Sequence, residues 1–154
     1  MIAIADTLRP ESVRLALTAT SGSAAIDEVA ALLETAPAVL DWEELRTDLH
    51  RSAPCLSENG STFAICLPHA RTEAVNKMVM GVGRSLEDLR FPGCALPVRY
   101  VFCIGVPKAM ASDYLRIVGL LARILKEPVA ESGLAGAATP VEFINQLSAL
   151  EAKL

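Results

Sequence analysis

The spacing of hydrophobic and polar positions changes repeatedly along the chain, and each change marks an element. Residues 13–19 (Val-Arg-Leu-Ala-Leu-Thr-Ala) alternate, the period of a half-buried strand. Ser21-Gly22-Ser23 then offers N-caps for a helix over 23–35, with Ile26, Val29, Ala30, Leu32 and Leu33 as its apolar stripe and Pro37 ending it. Asp41-Trp42-Glu43-Glu44 opens a second helix running to Arg51, acid-rich in its first turn as the helix dipole favours. Residues 52–62, with Pro54, Asn59 and Gly60, read as a loop. The run 63–67 predicts a strand that breaks into a loop carrying His69. Residues 77–84 read as a further strand, and Phe91-Pro92-Gly93 as a turn. Residues 98–106 are the strongest strand signal, apolar enough to lie centrally in a sheet, and Pro107 closes them.

From 111 to 126 the apolar positions Tyr114, Ile117, Val118, Leu121 and Leu125 follow helical spacing, and Glu127-Pro128 ends that helix. Thr139-Pro140-Val141-Glu142 combines an N-cap, a proline at the first helical position and an acid three residues after the threonine, opening a last helix to the C-terminus. Helices and strands are interspersed throughout. The expected class is therefore α/β, a single domain over residues 1–154 with a mixed β-sheet flanked by helices.

Composition narrows the function more than the fold. A chain of 154 residues, 52% apolar, can bury a core without disulfides or metal. A net charge of −4, with no run of five basic residues, argues against nucleic acid as a partner. The start, Met1-Ile2-Ala3-Ile4-Ala5-Asp6, lacks the basic region of a secretory signal, and no apolar stretch approaches a membrane span. A cytoplasmic protein without membrane insertion is expected. Cys55, Cys66, Cys94 and Cys103 form no C-x-x-C pair and are expected to be reduced, with Cys66 and Cys103 inside apolar runs as small core residues.

The candidate chemistry centres on Leu67-Pro68-His69-Ala70-Arg71, which holds one of only two histidines. A neutral imidazole can carry a phosphoryl group or ligate a metal, and Arg71 offers a planar fork to phosphate oxygens. A purely structural histidine fits the same residues. His50, Cys55, Cys66 and His69 bring imidazoles and thiols together, but their spacing does not match zinc fingers or ribbons, so no metal or cofactor is expected. His50, at the end of an acidic helix, suits a cation by the dipole and needs no chemical role. Arg116 and Arg123 share a helix face, by default solvated; Arg116 neighbours a phosphate only if that face turns toward the motif loop. Met78 and Met80 read as core, and Gly81 and Gly83 as points of close backbone approach. Leu86 stands where a third glycine would complete a phosphate-cradling G-x-G-x-x-G.

Taken together, Leu67-Pro68-His69-Ala70-Arg71, Val106-Pro107 and Leu121-Ala122-Arg123-Ile124-Leu125, in this order and spacing, resemble the mannitol/fructose-type IIA domain of the bacterial phosphotransferase system. Free-standing members of that family include the nitrogen-regulatory IIA protein. The resemblance covers nearly the whole chain. It implies that His69 is the phosphorylated histidine, accepting its group from the small carrier protein HPr. It further implies that Ser61, Thr62, Arg71 and Tyr114 supply donors to the phosphate and Arg51 a cation. Two positions depart from the family pattern. Tyr114 stands where a second histidine is often found, and the arginine-glutamate pair before the motif is replaced by Arg51-Ser52. These changes bear on onward transfer more than on phosphorylation of His69. The implied partners are an HPr-like phosphocarrier and either a IIB component or a regulatory target protein, with a homodimer left open. A regulatory role is expected ahead of sugar delivery with separate IIB and IIC chains; a protein-binding module with His69 unphosphorylated is the competing class.

Overall fold

The apolar run 98–106 lies, as its composition demands, at the centre of a mixed sheet. A computed structural model describes residues 2–57, 60–126 and 133–154. Among these, the strands are β1 (Val13–Arg14), β2 (Cys55–Leu56), β3 (Ala64–Cys66), β4 (His69–Arg71), β5 (Val79–Leu89) and β6 (Val98–Val106). Their order is β1-β5-β6-β3-β2, with β4 also against β6. β5 runs antiparallel to β6, while β3 and β4 run parallel to it in succession. The helices are α1 (Gly22–Ala31), α2 (Trp42–Leu49), α3 (Ala111–Leu125) and α4 (Pro140–Glu151).

Strand pleating sorts the core into two halves. Met80, Val82, Tyr100, Phe102 and Ile104 face one way, into a cluster with Ile117, Leu121, Ile124, Phe143 and Leu147 of α3 and α4. Val79, Val101 and Cys103 face the other way, toward Ile26, Val29, Leu45 and Leu49 of α1 and α2. The result is helix, sheet, helix, the layered solution for a sheet with two apolar faces. Gly81 and Gly83 bring β5 against α1: a Cβ on Gly83 would lie 2.7 Å from Val29 Cγ2. Arg84 is buried, and its guanidinium donates to the carbonyls of Leu15, Leu134, Ala135 and Ala137. One side chain thereby ties β5 to the segment after β1 and to residues 134–137.

Several expected boundaries move. The alternation over 13–19 persists in burial, but only Val13–Arg14 pairs as a strand, with Leu17 N–H bonding Arg84 O beyond it. α1 stops at Ala31 and continues as turns, and α2 stops at Leu49. The expected loop 52–62 contains β2. β5 continues to Leu89, past an exposed stretch at 86–88. The largest correction is that His69 does not lie in a loop. Pro68 has no N–H to give the ladder, so pairing lapses at Leu67-Pro68. It resumes at once, with Ile104 N–H bonding Pro68 O and His69 opposite Ile104. The last helix starts as expected: Thr139 Oγ1 accepts from Glu142 N–H, and Glu142 accepts from Ala138 N–H. Glu127-Pro128 lies outside the described residues.

Candidate functional site

β4 fixes what surrounds His69. Ala70 is buried against α1 and α2, so His69 and Arg71, two apart on a strand, both point to the α3 side. The backbone of β4 is held twice, by pairing to β6 and by His69 N–H bonding Ser52 O at 3.0 Å. The ring is held as well: Nδ1 lies 2.9 Å from Leu67 O. A carbonyl only accepts, so Nδ1 carries the hydrogen and Nε2 carries the lone pair. Leu67 O is set in turn, because Leu67 N–H bonds Pro54 O at 2.9 Å.

Over this imidazole lies Tyr114, from the first turns of α3, with ring centroids 4.7 Å apart and planes 27° from parallel. Burial pushes the Tyr114 phenol pKa up, which keeps it neutral. The stack brings the N-terminal end of α3, the positive end of its dipole, to the histidine. Arg71 is exposed, and its Nε donates to Lys108 O at 2.9 Å, while Lys108 Nζ reaches Glu73 at 3.7 Å. His69 thus has an arginine beside it on the same face and a lysine next to that arginine. Sequence reading passed over Lys108, because nothing local shows that the turn after β6 meets the end of β4.

The other expected site residues are placed differently. Arg51 adjoins Ser52, whose carbonyl holds His69, but its guanidinium lies 3.3 Å from Asp48 and is largely exposed. Ser61 lines a small cavity with Leu56, Ser57, Phe63, Ile65, Ala122 and Leu125. Ala122 is eight residues beyond Tyr114, about 12 Å along α3, so this cavity is distinct from the histidine. Thr62, exposed, follows Ser61 on that approach to β3. Arg116 donates to Ile2 O and is not turned to His69. His50, at the C-cap of α2, lies 2.7 Å from Asp27 of α1 and joins the two helices. Among the described residues, no group of three or more His, Cys, Asp or Glu side chains is arranged to hold a metal ion.

The arrangement is a strand-borne imidazole whose Nδ1 is tied to a backbone carbonyl, stacked on Tyr114 at the N-terminal end of α3, with Arg71 two residues on. Residues 6–149 match the family described as the phosphoenolpyruvate-dependent sugar phosphotransferase system, EIIA 2. The chain belongs to this family. A curated relative of this EIIA chain, the fructose-specific EIIA component of Haloferax volcanii, is 38% identical over 74 residues, 47% of this chain and 48% of the relative. The match therefore spans about half the length of each protein. The crystal structure of nitrogen regulatory protein IIA-Ntr from Neisseria meningitidis superposes with a TM-score of 0.80 at 19% identity, covering 94% of this chain and 98% of that one. IIA mannitol of Escherichia coli, in a complex with phosphorylated IIB mannitol, superposes with a TM-score of 0.70 at 20% identity, covering 92% and 97%. At such identities these two likenesses concern the fold, which is that of the mannitol and nitrogen-regulatory IIA proteins. Among the described residues of this EIIA chain, no helix is long and apolar enough to cross a membrane.

Proposed function

We propose that this protein is a phosphohistidine carrier of the phosphotransferase system, which takes a phosphoryl group from an HPr-like carrier onto Nε2 of His69. The reading is carried by the hydrogen bond between His69 Nδ1 and Leu67 O, which leaves Nε2 as the nucleophile. In the transfer, the Nε2 lone pair attacks phosphorus in line, the P–N bond to the donor histidine breaks, and its electron pair returns to the donor imidazole. Arg71, with Lys108 beside it, stabilises the charge on the phosphoryl oxygens in transit. Tyr114 holds the ring, and Arg51 adds a cation only when it leaves Asp48. Ser61 and Thr62 reach the phosphate only if the segment before β3 closes over it. Leu115, exposed beside Tyr114, offers apolar contact to a protein partner.

The phosphoryl group then passes to a IIB component, the partner found with the mannitol neighbour, or changes the binding of a regulatory target. We favour the regulatory route, in the cytoplasm where such a donor works. Incubation with phosphoenolpyruvate, enzyme I and HPr, followed by intact mass and phosphohistidine detection, tests the reading. Phosphate is expected on the protein and absent from His69→Ala. No phosphate on either, with active donors, would leave a protein-binding module in its place.

A further inference from the structure

His50, the second histidine, is the C-cap residue of α2, in the helical layer opposite Tyr114. A carboxylate only accepts, so the 2.7 Å contact between His50 Nε2 and Asp27 Oδ1 of α1 is a bond donated by the imidazole. That bond, the first of several causes, lowers the Asp27 carboxyl below its ordinary value and keeps it charged. Arg46 reaches the same oxygen at 3.5 Å and makes its shorter contact, 3.1 Å, with Glu43. The pair pins the end of α2 to α1. Ser52 lies two residues further on, too short a span to absorb a shift of the helix end. There, three successive residues bracket the histidine motif. Ser52 O accepts from His69 N–H at 3.0 Å and Pro54 O from Leu67 N–H at 2.9 Å, while Cys66 Sγ lies 3.6 Å from Ala53 O. Leu67 O in turn holds His69 Nδ1. A second route runs through the core, where Leu45 and Leu49 of α2 share a buried cluster with Ile26 of α1 and with Ala70, the neighbour of His69.

We propose that Asp27 and His50 form a positioning pair for His69, holding the carbonyls of residues 52–54 where Leu67 O keeps the hydrogen on Nδ1; this rests on the reading of His69 as the phosphoryl acceptor. Neither residue touches the phosphoryl group. With the pair broken, the end of α2 moves relative to α1 and carries Ser52 with it. Leu67 shifts with Pro54, and the bond to Nδ1 lengthens. An imidazole without that bond exchanges its hydrogen between the two nitrogens, and a ring with the hydrogen on Nε2 has no lone pair there for attack. The aim of the ring is lost as well, and a displaced nucleophile attacks more slowly. What the device requires is a donor at residue 50 and an acceptor at residue 27. A neutral amide at either position supplies the same bond.

The test reads the His69 tautomer by long-range proton–nitrogen correlation on the whole nitrogen-15-labelled protein with its imidazoles neutral, beside the rate of phosphoryl transfer from HPr. With two histidines in the chain, assignment is direct. The unsubstituted protein should show His69 with its hydrogen on Nδ1. His50→Ala and Asp27→Ala should show a mixture of tautomers and slower transfer, by up to about tenfold. His50→Gln and Asp27→Asn, which keep the donor and the acceptor, should restore both. Arg46→Ala, which cuts only the longer contact to Asp27, should change neither. A lowered melting temperature in the alanine variants with tautomer and rate unchanged would overturn the proposal, as would amide variants no better than alanine or an equal effect of Arg46→Ala. The tautomer is read without any phosphoryl donor, so failure of this positioning and failure of phosphoryl transfer are told apart.

Discussion

The phenol of Tyr114 lies stacked on the imidazole of His69 at 4.7 Å, covering one face of the ring whose Nδ1 is already bonded to Leu67 O. Two constraints of different kind, one in the ring plane and one on its face, leave Nε2 at the open edge. The stack needs an aromatic ring and not a hydroxyl. Tyr114→Phe should therefore accept phosphate from HPr at a rate within about threefold of the unsubstituted protein, while Tyr114→Ala, losing a ring pair worth roughly 0.5–1.5 kcal/mol, should be slower by up to about tenfold. Rapid-quench measurement of phosphohistidine formation separates the two. A phenylalanine variant as slow as the alanine variant would assign the effect to the hydroxyl.

Arg71 has its Nε engaged by Lys108 O, which sets the plane of its fork beside His69. A lysine there keeps a charge but loses the planar pair of donors. Arg71→Gln should slow phosphoryl transfer by about tenfold or more and Arg71→Lys by a smaller factor, given roughly 1.5–3 kcal/mol for a hydrogen bond to a charged group. Both variants should melt as the unsubstituted protein does, since the side chain is exposed. Unchanged transfer in Arg71→Gln would remove Arg71 from the site.

Glu28 contributes to the acid side of stability. Burial would raise its carboxyl pKa, but donors from the Thr18 and Ala19 backbone, the Thr18 hydroxyl and nearby Arg14 outweigh it and hold the group below its ordinary value of 4.5. A depressed folded-state pKa contributes stability that is fully present above the unfolded value and is lost as pH falls through the folded one. Glu28→Gln should cost about 1.5–3 kcal/mol at neutral pH, the scale of a hydrogen bond to a charged group. Urea unfolding at a series of pH values should show that deficit shrinking below the ordinary carboxylate value. A deficit constant with pH would place the effect in packing instead.

What could be read from the sequence depended on whether the cause was local. The Thr139 to Glu142 cap is closed within four residues, and the run 98–106 carries its own apolar signal, so both stand where the pattern put them. The far half of β5 does not: residues 86–88 are exposed and polar or lone apolar, and the strand is extended there by Leu89 pairing with Val98. Pro68 looked like the end of a strand, because the chain gives no sign that β6 continues alongside and recovers the pairing at His69. At the site, Arg71 was legible as a cation two residues after His69, but its shared strand face was not, and Lys108 and the carbonyl of Leu67 depend on contacts between segments. The same holds for Glu28, whose donors lie in the turn before α1.

Gly83 and Gly119 should respond in opposite directions to the same substitution. A Cβ at Gly83 would lie 2.5 Å from Leu17 Cδ2 and 2.7 Å from Val29 Cγ2. Leu17 has some freedom at its tip, but Val29 is β-branched and fully buried between α1 and the sheet, so the helix must shift. Gly83→Ala should destabilise the protein by about 1–3 kcal/mol, the usual cost of overpacking. Gly119 sits in the middle of α3, exposed, and among the described residues nothing beyond the helix's own adjoining backbone lies within 4 Å of the new carbon. There alanine only restricts the unfolded chain, and Gly119→Ala should stabilise by roughly 0.5–1 kcal/mol. The two sites share no partner, so the double variant should equal the sum of the single ones in urea unfolding. A neutral Gly83→Ala would mean that α1 does not pack on β5 as closely as Val29 and Gly83 require.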